Sequence, residues 1–245
     1  MTDWHCHLLP GIDDGAATFD ESLAMAAALA GAGFTEVYCT PHLIRGCYEA
    51  SADEVLALIG ELQERLDAAG IPLRLHQGRE YFLDEYLPGF LEEPFTLGSS
   101  RQVLVEIPPH VTGEMVRQLA YGIVRRGLVP VIAHPERCRL LEPQTPRRES
   151  RSVLGAVRRL LTGASSPEPA GAASAGMNPL LGYLCDLGCR FQANLGSFAG
   201  IYGREIQAIA VRFRDGGLYD RSGSDLHAPG QAPRILPGAR RLSFP

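Results

Sequence analysis

The sequence predicts an α/β fold in which parallel strands, each followed by a helix, close or nearly close into a barrel. Three observations carry this prediction. Short apolar runs of strand type alternate with helical stretches six or seven times along the chain. A length of 245 residues suits one substantial core of that kind. Nearly every strand-type run also ends on a histidine or a carboxylate, as expected where strand ends gather on one face of a barrel.

Taken in order, the first strand runs into "HCH", residues 5–7. "TFDESLAMAAALAGAG" follows as a helix, with Thr18 as N-cap, Glu21 three residues on, and Gly31 and Gly33 at its end. "FTEVYCTPH" is the second strand, stopped at Pro41. "SADEVLALIGELQERLDAAG" is a helix with the same opening, Ser51 and Glu54. "IPLRLHQGREY" and "QVLVEIPP" read as strands, "GEMVRQLAYGIVRRG" as a helix and "LVPVIAHPER" as the next strand. "TGASSPEPAGAASAGMN", residues 162–178, breaks the rhythm. Its Ala, Ser, Pro and Gly predict a flexible insertion inside a single domain spanning 1–245, not a domain boundary. The alternation then resumes with a helix near "PLLGYLCDLG", a strand "CRFQANLG", a helix "GREIQAIAVRFRDGG" and a last strand into "RSGSDLH".

Composition excludes several classes. The formal charge of −5 gives no electrostatic footprint for nucleic acid. All basic side chains are arginine, which codon usage explains more simply than function. No apolar run approaches the roughly 20 residues of a membrane span. The start "MTDWHCH" lacks the basic and apolar regions of a secretory signal, so a cytoplasmic location is expected. The six cysteines form no CxxC pair and read as reduced thiols.

The polar strand ends carry the chemistry. Strand one ends in His5 and His7, with Asp14 in the loop behind it. The following strands end in His42, Glu80, Glu106 and His134, and the last in Asp225 and His227. A strand-end histidine taken alone is more often a capped core or surface residue than a ligand, and a lone carboxylate there is usually solvated. The combination weighs differently: five of seven histidines, all but His76 and His110, lie at strand ends with four carboxylates. His5 and His7 alternate, so they share one strand face. Imidazole and carboxylate donors suit manganese, iron or zinc. Nine donors exceed what one ion takes and suit two or three ions joined by a bridging carboxylate.

The strings "DWHCHLLPGIDDGA", "CTPH", "GRE", "VEIP", "AHPER", "NLGSFAGIYG" and "SDLH", in that order, resemble the PHP (polymerase and histidinol phosphatase) superfamily. The closest branch is that of the bacterial manganese-dependent tyrosine-protein phosphatases of the CpsB/YwqE type. The resemblance spans residues 1 to about 227, interrupted at 140–178. It implies a distorted (β/α)7 barrel with a metal cluster at the carboxyl ends of the strands. It assigns His5, His7, Glu80 and Asp225 to one metal. Glu80 would bridge to a second held by Glu106 and His134, and Asp14, His42 and His227 would hold a third, Asp13 orienting the loop. Manganese is the implied cofactor, with iron or zinc chemically possible. The implied partner is the phosphotyrosine-rich tail of a tyrosine kinase of capsule or exopolysaccharide assembly. The chemistry expected is in-line attack of a metal-bound hydroxide on phosphorus. Arg137 is placed as a phosphate contact and Arg234 as the candidate for a second, displaced along the tail, with Arg45 a third.

Two rivals share the sequence. "CTPHLIR", residues 39–45, fits the C-x5-R spacing of cysteine-based phosphatases, with Cys39 as nucleophile and Arg45 on the phosphate. No glycine lies between them to form the cradling loop, and Cys39 reads as a buried strand residue. A histidinol-phosphatase-like or other small-molecule phosphoesterase would use the same metals.

Overall fold

The computed structural model describes residues 1–143 and 178–242. Seven parallel staves form the barrel, two of them broken. β1 (Thr2–Cys6) pairs with β2 (Glu36–Cys39), which pairs with β4 (Arg74–Gln77). A second parallel sheet runs through β3 (His42–Leu43), β5 (Glu80–Phe82), β6 (Gln102–Glu106), β7 (Val129–Ala133), β8 (Arg190–Asn194) and β9 (Arg221–Gly223).

β2 and β3 are successive halves of stave two, interrupted at Thr40 and Pro41; β4 and β5 are halves of stave three, interrupted at Gly78 and Arg79. The sequence predicts the second strand as stopped at Pro41 and the third as one run. Pro41 has no N–H to give the ladder. Gly78 passes so close to stave two that a Cβ there would lie 2.9 Å from both Thr40 and Leu97. The broken halves restart in register, with His42 opposite Glu80. Backbone bonds close the barrel between the last stave and the first: Asp225 N–H donates to His5 O at 2.8 Å, and His7 N–H to Leu226 O at 3.0 Å.

β1 also carries a register shift between Asp3 and Cys6. Asp3 holds it: one carboxylate oxygen accepts the Ser224 N–H at 2.7 Å and the His5 N–H at 3.3 Å. The bulge lets successive side chains face the interior. Trp4 stacks on Tyr38 at 4.4 Å and packs against Leu97, Leu104, Val131 and Ala133, while His5 turns toward the ligand cluster.

The helices follow the sequence signals. α1 (Phe19–Ala32) starts at Thr18, which caps Glu21 N–H, and ends at Gly33 in the left-handed region. α2 (Ala52–Ala68) opens with a complete Ser51–Glu54 capping box. These two helices bury Met25, Leu29, Leu62 and Leu66 against Val37 and Cys39. α4 (Gly113–Arg125) buries Val116, Ala120 and Ile123 against Val103, Val105 and Ile132 on the other side of the barrel. Each buried Val, Leu, Ile or Met among them contributes about 1.5–3 kcal/mol. The sequence reading did not anticipate the short α3 (Leu87–Phe90), α6 (Leu195–Phe198) and α8 (Ala232–Ile235).

The stretch 162–177 of the expected insertion lies outside the described residues. Its last member, Asn178, is the N-cap of α5 (Pro179–Asp186). Asn178 Oδ1 accepts from the N–H groups of Leu180 and Leu181. Its amide nitrogen donates to the carbonyls of Leu140 and Glu142 at 2.9 and 3.0 Å. α7 (Arg204–Asp215) buries Ala210 and Phe213, the latter in one cluster with Phe191 and Ala193 of stave six. Among the described residues no helix is long and apolar enough to cross a membrane.

Candidate metal centre

All nine strand-end donors meet in one basin at the carboxyl ends of the staves. His5 Nε2 stands 3.1 Å from His7 Nε2, 3.1 Å from Glu80 Oε2 and 3.3 Å from Asp225 Oδ1. His7 Nε2 lies 3.3 and 3.4 Å from the same two oxygens. The other oxygen of Glu80 faces His134 Nε2 at 3.2 Å, and Glu106 lies 4.0 Å from that nitrogen. Asp14 Oδ1 stands 3.7 Å from His42 Nε2 and 3.5 Å from His227 Nε2. Glu80 therefore turns one oxygen to His5, His7 and His42 and the other to His134, as a bridging carboxylate does.

The arrangement fits cations better than it fits itself. His5 donates its Nδ1 proton to Gln192 Oε1 at 2.9 Å, and His7 donates its Nδ1 proton to Asp13 Oδ2 at 2.7 Å. In the neutral tautomers those bonds imply, each Nε2 presents a lone pair. Two lone pairs then face each other and two buried carboxylates. Such a set is satisfied only by positive charge, and these outer partners are the kind that orient metal-binding imidazoles. His42 Nδ1 is buried without a hydrogen-bond partner, although it lies 3.2 Å from Glu80 Oε2.

The pKa directions express the same frustration. Burial opposes charge on His5, yet Glu80 and Asp225 outweigh it and hold its pKa at about 9. Burial, reinforced by the charge of Glu80, pushes Glu106 up to about 8. Burial and the neighbouring Arg137 push His134 down to about 4. Protons thus gather on some donors where metal ions would otherwise supply the charge.

Backbone geometry marks the same residues. Among the described residues, the non-glycine positions with positive φ are His134 (31°) and Asp225 (53°). Both are ligand candidates at stave ends. Left-handed backbone costs a non-glycine residue on the order of 1–3 kcal/mol, so the surrounding structure enforces these two conformations.

Two glycines let the basin close. A Cβ on Gly15 would lie 2.3 Å from His7 O, so the "GIDDGA" loop packs directly on the first stave. A Cβ on Gly223 would lie 2.4 Å from His5 Cβ and 2.8 Å from Gln192 Nε2. Gly223→Ala is expected to push stave seven from stave one, costing about 1–3 kcal/mol and loosening His5. A lower melting temperature together with reduced metal content checks this; an unchanged metal stoichiometry would count against it.

Several residues that sequence reasoning passed over support the ligands. Asn194 donates to Asp225 Oδ2 at 2.6 Å and accepts the Gly196 N–H at 2.7 Å. Glu136 accepts the Asn194 N–H and the Tyr219 hydroxyl, tying stave five to stave six. Asn194 and Tyr202 belong to "NLGSFAGIYG" and Glu136 to "AHPER", so the signal was present without a role attached. Asp13 bonds His7, Gly15 N–H and His42 N–H, which orients the loop.

The arginines divide. Arg137 donates to Asp225 Oδ2 at 2.8 Å, with its guanidinium 4.5 Å over the Tyr202 ring. Arg45 is exposed on the rim and pairs with Glu49 at 3.6 Å. Arg234, expected as a phosphate contact, is exposed in a surface groove with Leu195, Phe198 and Arg214 that includes none of the nine donors. The reason is local: α8 turns Ala232 and Ile235 into the core, which leaves Arg234 outward. The Cys39 alternative also meets a physical obstacle. Its thiol is fully buried in β2, and burial and the nearby Asp3 carboxylate push its pKa well up. A group in that setting is a core residue, not a thiolate. His76 pairs with Glu36 and His110 approaches Asp84 and Glu85, both apart from the cluster.

A distorted seven-stave barrel with this His, Asp and Glu cluster at its strand ends places the chain among the metal-dependent phosphatases. More narrowly, the chain belongs to the CpsB/CapC family of capsular polysaccharide synthesis, whose family model matches residues 1–157. The tyrosine-protein phosphatase YwqE of Bacillus subtilis is 30% identical over 229 residues, covering 93% of this chain and 77% of that protein. A chain from the crystal structures of YwqE and of CpsB from Streptococcus pneumoniae, described as metal-dependent tyrosine phosphatases, superposes with a TM-score of 0.72 at 28% identity. That match covers 98% of this chain and 87% of the other. A protein named for histidinol phosphatase, hisK of Listeria monocytogenes, shares the fold with a TM-score of 0.52 at 13% identity, covering 99% of this chain and all of its own.

Proposed function

We propose that this chain is a protein-tyrosine phosphatase that removes phosphate from the tyrosine-rich tail of a bacterial tyrosine kinase of capsule or exopolysaccharide synthesis, using two or three manganese ions. The observation that carries this reading is the two-sided Glu80, one oxygen facing His5, His7 and His42 and the other facing His134, all within hydrogen-bonding distance. A cytoplasmic location and one phosphatase domain interrupted at 162–178 belong to the same reading.

His5, His7, Glu80 and Asp225 would hold one ion; Glu80, Glu106 and His134 a second; Asp14, His42 and His227 a third. Bound there, the ions would acidify water toward neutral pH and offset the charge of the phosphoryl oxygens. The chain's own residues do the rest. Gln192 and Asp13 fix the His5 and His7 rings through their far nitrogens. Asn194 and Arg137 share the outer oxygen of Asp225, which holds that carboxylate's orientation. Arg137 stands at the edge of the basin, braced by Tyr202, and its planar fork suits phosphate oxygens. The tyrosinate leaving group has a pKa of about 10, so it departs with less protonation than an alkoxide needs.

The test is turnover by metal-depleted protein reconstituted with manganese, iron or zinc, on a phosphotyrosine peptide and on histidinol phosphate. Higher kcat/KM on the peptide, best with manganese, is expected. Preference for histidinol phosphate would transfer the chain to the small-molecule branch, and inactivity on both would end the enzyme reading.

A further inference from the structure

Opposite Arg137 the basin has an aromatic wall with no part in holding metal or phosphate. After His42 the chain turns back on itself: Ile44 N–H donates to Tyr48 O at 2.8 Å, and Tyr48 N–H to Ile44 O at 3.0 Å. Gly46, at φ +77°, makes the turn. The reversal lays the Tyr48 ring nearly parallel to His42, with 5.9 Å between centroids and 13° between planes. Phe82, beyond Glu80 on stave three, meets His42 edge-on at 6.0 Å. Both rings are partly exposed, and the paired backbone bonds keep Tyr48 in place rather than trailing in solvent.

We infer that Tyr48, with Phe82 beside it, is the surface that receives the phenyl ring of the substrate and thereby selects aryl over alkyl phosphates. This rests on the phosphotyrosine reading above. Topology supplies the direction. His42 ends stave two and Arg137 follows stave five, so the two face each other across a barrel of seven. A phosphoryl group drawn to the cluster and Arg137 turns its ester oxygen, and the ring attached to it, toward the His42 side. There the ring meets the face of Tyr48 and the side of Phe82, the offset and edge contacts that aromatic pairs prefer. An alkyl chain gains less from such a wall. Tyr202, the aromatic residue on the other side, is already covered by the Arg137 guanidinium.

The experiment separates ring binding from phosphate binding. Competitive inhibition of phosphotyrosine-peptide turnover is measured with inorganic phosphate and with phenylphosphonate, on the manganese-loaded enzyme and on Tyr48→Ala, Tyr48→Leu and Tyr48→Phe. Tyr48→Ala and Tyr48→Leu are expected to raise Ki for phenylphosphonate about tenfold and to leave Ki for phosphate within about twofold. Tyr48→Phe, which keeps the ring, should match the wild type. A parallel rise in both constants would mean that Tyr48 acts only by steadying His42, and would overturn the inference. So would a wild type that binds phenylphosphonate no better than phosphate. A wild type inert toward the phosphotyrosine peptide would instead bring down the functional reading, and this inference with it.

Discussion

Glu80→Gln is expected to lower kcat/KM by at least about 10³-fold, roughly 4 kcal/mol at 1.36 kcal/mol per decade. Glu80 is almost fully buried and touches His5, His7, His42 and His134 at 3.1–3.3 Å. Its neighbours His5, His42 and His134 outweigh burial and hold its carboxyl well below the usual range, so it stays ionised. Glutamine keeps the shape but removes the charge and replaces one acceptor oxygen with N–H donors. Between His134 on one side and His5, His7 and His42 on the other, it can no longer bridge. Metal analysis of the purified variant should show at least one ion lost per chain, with a far-ultraviolet circular dichroism spectrum like that of wild type. A variant retaining more than a tenth of wild-type kcat/KM would contradict the central role of Glu80.

Withdrawal of metal should abolish turnover outright, while alkylation of thiols should leave most of it. With the ions removed, protons on His5 and His7 must stand in for them beside the buried carboxylates of Glu80 and Asp225. The melting temperature should therefore fall as well, because a ligand that binds only the folded state stabilises it by mass action. Manganese added back should restore both. Iodoacetamide reaches the exposed Cys47, whereas Cys6, Cys39 and Cys189 are buried. Activity that survives a chelator but dies with iodoacetamide would reverse the assignment and return the thiol chemistry of residues 39–45 to consideration.

The candidate ligand residues were legible because barrel geometry turns sequence order into position: a polar residue at the end of each apolar run must arrive at the same rim. The capped helices were legible for a local reason, since Thr18 and Ser51 carry their own hydrogen-bond partners three residues on. What stayed hidden depends on contacts between distant segments. "IPLRLHQGREY" looks like an unbroken strand, and only the approach of Gly78 to Thr40 and Leu97 shows why stave three divides. The bulge in β1 rests on Asp3 reaching Ser224, 221 residues away. Gln192 and Asn194 read as ordinary polar positions until their bonds to His5 and Asp225 are seen. Arg234 was placed by its distance along the chain, but the core-facing Ala232 and Ile235 decide which way α8 turns.

Asn178 uses one carboxamide to finish a helix and to fasten that helix to the carbonyls of Leu140 and Glu142. The two places where the chain departs and re-enters are thereby joined by a side chain. The closure entropy of whatever lies between them grows only with the logarithm of its length. Stave five and stave six are consequently insulated from changes in that length, and evolution can lengthen, shorten or rewrite the intervening residues without retuning the barrel. Asn178 works as a splice point: it fixes where foreign sequence can enter a scaffold whose stave ends carry the candidate metal ligands.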